Sequence, residues 1–481
     1  MKIDKFEDLK LGKEILKALN NLGFEEPSEV QKVVIPKMLN NKDLVVKSQT
    51  GSGKTASFGI PMCELINSEE NKIRGLVLVP TRELAMQVKE DISDIGRLKK
   101  IRVAAIFGKQ PFKEQISELK QRVHIISGTP GRVIDHIERG NIDVESIEYV
   151  VIDEADKMLN MGFVDQIRNV LKKLPNVKNT HLFSATIPEE IEKLYMGQMK
   201  NPEILEVKSK VFNRDKITER YIEVDYDFKL KALEKVIYAK TDESVIIFAN
   251  TKDAVKNVAK FLDREGIRVR ELQGDMEQKD RLKTMEDFKN KEFKVLVATD
   301  IAARGIHIAH ITNVINFDIP MERESYVHRI GRSGRGEKSG LAISLVTERD
   351  RRYLADIEDY IGYKIDRLEL PTNEEVLIGK ERFLEHQKKN YGKAVKTKKV
   401  VHGDITKIHL SAGKKKKIRN VDIVGALSNL EGMTGQDIGI IDVQDGFSYV
   451  DILNGKGNII LKKHKEIKLK GKLVKVSNAK N

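Results

Sequence analysis

Eleven short apolar runs rich in Val, Ile and Leu recur through the first 346 residues, each followed by a turn and a stretch with helical spacing. They fall at residues 43–47, 75–80, 103–107, 124–127, 149–152 and 180–183, and then at 244–249, 269–272, 294–298, 313–316 and 341–346. Strands that are apolar on both faces and alternate with helices predict a parallel sheet covered on both sides. The polar stretch 206–216 has no periodicity and reads as a connector. The expectation is therefore two tandem α/β domains, residues 1–207 and 208–372. In open sheets of this kind ligands bind beyond the carboxyl ends of the strands. The unusual residues of this chain stand at those ends in both blocks.

A charged helical stretch, 373–403, reads as a linker that becomes flexible near its lysine-rich end. Residues 404–481 then follow a β-α-β-β-α-β order, with strands at 405–410, 437–442, 447–453 and 472–476 and helices at 421–430 and 458–466. That is the ferredoxin-like order used by RNA recognition motifs. Charge points the same way. Residues 380–481 hold 23 Lys and Arg against 10 Asp and Glu, which is the whole of the chain's +13. A neutral body with a basic tail suits a polyanion held mainly by the tail, although a lysine-rich solubilising tail would look alike on charge alone.

No run approaches the roughly 20 apolar residues of a membrane span, and residues 1–10 do not read as a secretory signal. Cys63 is the only cysteine, which excludes an intrachain disulfide and any multi-cysteine zinc site. Together these features favour a cytoplasmic protein.

Chemistry enters at Ser48-Gln49-Thr50-Gly51-Ser52-Gly53-Lys54-Thr55, which follows an apolar run and opens a helical stretch. This is the pattern of a phosphate-binding loop. Backbone N–H groups and the helix N-terminus cradle phosphate, Lys54 reaches the terminal oxygens, and Thr55 offers a hydroxyl to Mg²⁺. The bland alternative is a glycine-rich turn. Residues 149–152 then deliver Asp153-Glu154-Ala155-Asp156. An apolar strand ending in adjacent acids can set a metal-holding Asp153 beside a water-activating Glu154. Three acids in four residues are more often a solvated face, but not after four buried-type residues in a chain with a phosphate loop.

With these motifs the first 370 or so residues resemble a DEAD-box RNA helicase. Gly23-Phe24, Pro27-Ser28 and Gln31, with Phe6 upstream, resemble the family's Q motif. The resemblance implies that Gln31 reads the adenine edge, that Phe6 stacks on the ring, and that the nucleotide is ATP with Mg²⁺. Pro80-Thr81-Arg82 and Thr129-Pro130-Gly131-Arg132, with Gly108, resemble RNA-backbone motifs of the first domain. Ser184-Ala185-Thr186 resembles the motif that couples hydrolysis to strand separation. In the second block Phe248-Ala249-Asn250-Thr251, Gly274 with Gln278 to Arg281, and Ala298-Thr299-Asp300 follow in order. By the resemblance Thr251, Gly274 and Thr299 join Pro80, Arg82, Gly108, Thr129 and Arg132 in contacting RNA. His328-Arg329-Ile330-Gly331-Arg332-Ser333-Gly334-Arg335 resembles the arginine-finger motif. It implies that Arg332 and Arg335 stabilise the transferring phosphoryl group, a role worth about 10³–10⁵ in rate. Asp156 and His328 are expected to meet in a polar contact between domains.

Two positions depart from the family pattern. Lys109 stands where a second glycine is usual, and His307 where an acid touches the ATP ribose. His307 and His310 have no evident third ligand and read as non-metal.

The tail resembles the RNA-binding domain of the DbpA/YxiN-type DEAD-box helicases. It does so through Lys414, Lys415, Lys416, Lys417 and Arg419, the helix from Val421 to Gly425, residues 437–441, Tyr449 to Leu453, and Lys470-Gly471-Lys472. The resemblance implies a hairpin of large-subunit ribosomal RNA as partner and a part in ribosome assembly. Phe447 and Tyr449 share one strand face, where two bases could stack or where the rings could simply pack. The first strand lacks the usual aromatic. The lysine run is the stronger expectation for phosphate contact. The whole reads as a monomeric, ATP-dependent RNA helicase. The alternatives are an ATP-gated RNA clamp with little unwinding and, more remotely, a DNA motor.

Overall fold

The computed structural model describes residues 3–48, 52–175, 179–207, 217–241, 244–303, 311–331, 333, 339–389 and 405–479. They fall into two compact units. One holds the described residues up to Val207 together with the tail, and the other holds the described residues from 217 to 389.

The first unit contains a seven-stranded parallel sheet. Its strands are β1 (Leu44–Lys47), β2 (Gly75–Leu78), β3 (Val103–Ile106), β4 (Ile125–Gly128), β5 (Tyr149–Ile152), β6 (Asn179–Ser184) and β7 (Glu203–Glu206), in the order β3-β4-β2-β5-β6-β1-β7. Six of these coincide with apolar runs, and β2 to β5 are buried at every residue. β7 matches no apolar run. As an edge strand it leaves Ile204 60% exposed, so its sequence lacks the apolar continuity of a central strand.

The covering helices follow from local chemistry. In Arg82–Ile95 the Thr81 hydroxyl caps the Leu84 N–H at 3.2 Å, Glu83 sits in the first turn, and Gly96 ends the helix. Leu84, Ala85, Val88, Ile92 and Ile95 form the buried face. Removing such a cap costs about 1 kcal/mol, and each large buried side chain contributes roughly 1.5–3 kcal/mol. Cys63 lies in the same core, fully buried, and burial pushes its thiol up to about 12.

The second unit repeats the architecture. Strands β8 (Ile217–Glu223), β9 (Val245–Phe248), β10 (Val269–Leu272), β11 (Val295–Ala298), β12 (Asn313–Asn316), β13 (Gly340–Val346) and β14 (Asp366–Arg367) run parallel in the order β10-β11-β9-β12-β13-β8-β14. β8 and β14 also lie outside the apolar runs. β8 pairs with β13 over seven residues and carries a buried acid, Glu219, which accepts from the Tyr326 and Tyr363 hydroxyls at 2.7 and 2.5 Å. A satisfied carboxylate of this kind breaks the apolar pattern without breaking the strand.

Part of the expected linker belongs to this unit. Helix Asn373–Lys389 packs Phe383 edge-to-face on Tyr238 at 5.6 Å. Gly379 permits the approach, since a Cβ there would stand 2.1 Å from the Tyr238 carbonyl oxygen. Residues 390–403 lie outside the described residues.

The tail forms an antiparallel sheet of β15 (Thr406–Leu410), β16 (Ile438–Val443), β17 (Ser448–Ile452), β18 (Glu466–Leu469) and β19 (Lys472–Asn478), in the order β16-β17-β15-β19-β18. Helices Asn420–Ser428 and Gly457–Lys463 bury Ile423, Leu427 and Ile460 against Ile408, Leu410, Val450 and Ile452. The sequence predicts four strands. The fifth, β18, begins at the predicted end of the second helix, because Glu466-Ile467-Lys468-Leu469 alternates exposed and buried residues. Among the described residues no helix is long and apolar enough to cross a membrane.

Candidate active site

Three neighbouring strands of the first sheet, β1, β6 and β5, end side by side, and each end carries one of the sequence motifs. The Ser48 N–H donates to the Ser184 carbonyl at 2.9 Å, which ties the start of the phosphate loop to the Ser184-Ala185-Thr186 segment. Gly53 turns the chain into helix Lys54–Leu65 with φ +89°, a conformation that disfavours a side chain, and a Cβ there would stand 2.7 Å from Gln31 Nε2. Lys54 is buried, with its ammonium donating to the Ser48 carbonyl at 3.2 Å. Thr55 follows it in the first helical turn. Gln49, Thr50 and Gly51 lie outside the described residues.

The Q-motif residues brace this loop from behind. Ser28 Oγ donates to the Ser52 carbonyl at 2.8 Å and Gln31 Nε2 donates to the Gly53 carbonyl at 3.2 Å, while Gln31 Oε1 accepts the Ser28 N–H at 2.9 Å. A carboxamide has two donors and two acceptor sites, so one of each remains to face a base. Phe6, expected to stack on adenine, is 3% exposed and packs edge-to-face on Phe24 at 5.9 Å.

At the end of β5 burial raises the Asp153 carboxyl to about 6, with Lys54 opposing and the Glu154 charge adding to the shift. One Asp153 oxygen accepts the Glu154 N–H at 2.9 Å. Glu154 adopts φ +56° ahead of helix Ala155–Asn160, a left-handed backbone that costs roughly 1–2 kcal/mol in a residue with a Cβ. Its carboxylate accepts from the buried Lys157 ammonium at 2.6 Å. Nothing in the sequence singles out Lys157 beyond its helical i, i+3 spacing from Glu154. Asp156 Oδ2 receives Ala185 N–H at 3.1 Å, Thr186 N–H at 3.0 Å and Thr186 Oγ1 at 3.4 Å, and Ser184 Oγ receives Asp156 N–H at 3.1 Å. These bonds tie the two segments directly to each other.

The expected RNA contacts of the first domain also stand at strand ends. Pro80 follows β2, Gly108 follows β3, and Thr129 is the N-cap of helix Pro130–Glu138. Arg132 is held in place, donating to the Gln110 carbonyl at 2.9 Å with its guanidinium 4.1 Å from the Phe112 ring centre. A Cβ on Gly108 would come to 3.8 Å from Arg82 Nη2, and Lys109 beside it is exposed at φ +57°. In the second unit Thr251 caps helix Lys252–Arg264, Gly274 is exposed, and Thr299 Oγ1 accepts from Ala302 N–H at 3.4 Å.

Arg329, unassigned in the sequence, is the hub of that second set. It is 1% exposed, forks onto Asp300, and donates to Asn250 Oδ1 at 2.8 Å and to the Asp318 carbonyl at 2.5 Å. His328 precedes it on helix Arg323–Ile330. Arg332 and Arg335, like His307 and His310, lie outside the described residues.

Comparison with known proteins agrees with this arrangement. Residues 28–194 match the DEAD/DEAH box helicase model, 228–337 the helicase conserved C-terminal domain, and 407–478 the DbpA RNA binding domain. The chain is 50% identical over 474 residues to the ATP-dependent RNA helicase DbpA of Bacillus subtilis, covering 98% of this chain and 99% of that protein. The chain belongs to the DbpA-type DEAD-box RNA helicases. It is also 43% identical over 378 residues to the DEAD-box ATP-dependent RNA helicase CshA of Geobacillus kaustophilus, covering 79% of this chain and 81% of that one. Among solved structures, S. cerevisiae Dbp5 bound to RNA and ADP BeF3 matches with a TM-score of 0.70 at 32% identity, over 79% of this chain and all of the other. The two parallel sheets are accordingly RecA-like domains, and the protein is an ATP-dependent RNA helicase.

What marks a DbpA-type helicase is its tail. There Lys414–Lys416 form a single 3-10 turn after β15, with Lys417 at φ +58°. The turn is pinned by Lys414 N–H on the Gln444 carbonyl and Lys415 N–H on the Asp445 carbonyl, both at 2.8 Å, and the Lys416 ammonium donates to the Ser411 carbonyl at 2.9 Å. Arg419 is the N-cap of the helix that follows. Phe447 and Tyr449 meet at 5.2 Å, and a third ring, His409, lies 5.4 and 5.6 Å from them. His409 therefore fills the first-strand position that the sequence suggests is without an aromatic. A lone histidine on an alternating strand resembles any polar residue, which is why the signal is easy to pass over.

Proposed function

We propose that this helicase is recruited by its tail to a structured hairpin of large-subunit ribosomal RNA and separates short neighbouring helices during assembly of that subunit. The observation that carries the reading is the tail itself, in which a pinned lysine turn adjoins a cluster of three rings. Lysines take phosphates, which position without specifying, whereas ring faces take unstacked bases of a loop. The deciding experiment is RNA-stimulated ATP hydrolysis with and without residues 404–481, comparing ribosomal RNA with unrelated RNA. Tail deletion is expected to abolish the preference and leave a basal stimulated rate; an unchanged preference would overturn the assignment.

Within the first RecA-like domain, Lys54 and the N-terminus of its helix take the β- and γ-phosphates. Glu154 receives the proton of the attacking water. Its fixed backbone and the Lys157 ammonium aim the carboxylate. Ser28 and Gln31 join base reading to loop geometry, because the carboxamide that faces adenine also holds the Gly53 carbonyl. Arg332 and Arg335 are assigned to the transferring phosphoryl group from the sequence motif alone.

The donor set fits Mg²⁺. Asp153 and Thr55 would supply two oxygens, a carboxylate and a hydroxyl. That suits an ion that keeps waters and shares the nucleotide's phosphates. When bound, Mg²⁺ neutralises phosphate charge and polarises the group to be transferred. RNA contacts at Pro80, Arg82, Gly108, Thr129, Arg132, Thr251, Gly274 and Thr299 address the backbone and carry no sequence information. The protein works as a monomer in the cytoplasm.

A further inference from the structure

The tail's sheet has one face under its two helices and one open face. The open face carries both rings and carboxylates. At the end beside the lysine turn stand Phe447, Tyr449 and His409; on the same face are Asp442, cross-strand from Tyr449, and Asp451, cross-strand from Lys407. Carboxylates are out of place on a surface meant for phosphate. The described tail holds 14 Lys and Arg against 7 Asp and Glu, so counter-charges for them exist within the domain. Asp422 uses Lys470 at 3.0 Å and Asp437 uses Lys456 at 2.8 Å. Lys407, opposite Asp451, instead sends its ammonium over the Tyr449 ring, 5.9 Å from its centre.

Both sheet-face acids find their cationic partners outside the tail, while Asp442 also accepts from Gln444 Nε2 at 2.8 Å. Arg97 forks onto Asp451, Nε to Oδ2 and Nη2 to Oδ1, both 3.1 Å, and the Asp451 side chain is only 5% exposed. Arg102 donates to Asp442 Oδ1 at 2.9 Å and to the Ile441 carbonyl at 3.1 Å. Both arginines belong to one short turn of the first RecA-like domain, between helix Arg82–Ile95 and β3. A bidentate fork is geometrically specific and stronger than a single contact between point charges.

We propose that Asp442 and Asp451 on the tail's open sheet face form a docking surface for the Arg97–Arg102 turn of the same chain. The turn lies at the amino end of β3, whereas the phosphate and RNA motifs lie at the carboxyl ends. A four-residue strand spans about 13 Å. The docking contacts therefore lie about one strand length from those motifs, which places the tail's grip and the separated helix on different parts of the RNA. The docking stands independently of which RNA the tail prefers.

The test is energy transfer in the full chain, with dyes on cysteines introduced at the exposed Glu145 and Asn458. Docking predicts high efficiency at low salt, falling at least two-fold as monovalent salt rises from about 0.05 to 0.5 M, because screening shortens the reach of such pairs. Arg97→Asp with Arg102→Asp is expected to produce the same fall while leaving ATP hydrolysis stimulated by tail-independent RNA unchanged, which shows that the chain is folded. Arg102→Asp alone should lower the efficiency, and adding Asp442→Arg should restore it by reversing the pair. Efficiency indifferent to the arginine substitutions, or a reversed pair that recovers nothing, would overturn the docking.

Discussion

Arg329 and Asp300 join fork to fork inside the second RecA-like domain, Nε to Oδ1 and Nη2 to Oδ2, both at 2.6 Å. The same guanidinium reaches Asn250 and the backbone at Asp318, so one buried side chain fixes the ends of three adjacent strands, β9, β11 and β12. Removing one partner of a buried pair leaves the other charge unpaired, which costs more than the pair contributes. Arg329→Met is expected to lower the stability of the second domain by about 3 kcal/mol, read as a shifted urea midpoint in the full chain. Arg329→Lys should recover only part, since an ammonium cannot fork. An unmoved midpoint in the methionine variant would remove Arg329 from this role.

Lys157 donates to the Glu154 carboxylate at 2.6 Å and is expected to act on catalysis through it. Glu154→Gln sets the floor, retaining ATP and RNA binding while hydrolysis falls by about 10²–10⁴. Lys157→Met removes the hydrogen bond that aims the carboxylate, so hydrolysis should fall toward that floor while ATP and RNA binding persist. Turnover unchanged in the methionine variant would remove Lys157 from this role.

Three histidines of the first domain make it sensitive to acid. Burial lowers His181 to about 3, and burial with nearby arginines lowers His124 and His136 to about 4. In the unfolded chain each takes a proton near 6.5, whereas the folded chain keeps them neutral. Stability is therefore full above 6.5 and is lost as pH falls below it, by on the order of 1 kcal/mol per pH unit for each histidine. His181 is the cleanest case, because among the described residues neither ring nitrogen has a hydrogen-bond partner. His181→Leu should change stability by less than about 1.5 kcal/mol at pH 7.5 and flatten its decline toward pH 5. Parallel stability–pH curves would contradict this.

The lysine turn should be visible in salt dependence. Replacing Lys414 and Lys415 with alanine is expected to weaken RNA binding and to reduce the slope of log affinity against log salt by about 0.7–0.9 for each phosphate that a lysine no longer neutralises. Measured affinities between 50 and about 300 mM salt give that slope. Weaker binding with an unaltered slope would place the lysines away from the phosphates.

The central strands are readable because burial on both faces demands unbroken apolar residues, as Val150, Val151 and Ile152 show. The same physics hides β7, β8 and β14, where solvent on one side or a satisfied carboxylate such as Glu219 mixes polar residues into the strand. Motif residues are readable wherever backbone geometry restricts the choice, as at Gly53. Lys157, Arg329 and His409 are not. Each acts through a neighbour brought close by folding, and a lysine, arginine or histidine reads alike whether it lies buried against an acid or open to water.

Cys63 is the one thiol in the chain, sealed in the first domain's core with its ionisation pushed to about 12. Since the thiolate is the reactive species, the native protein should ignore alkylating probes and mild oxidants while folded. Modification of Cys63 then becomes a clock for opening of that core, and nucleotide that stabilises the first domain should slow it.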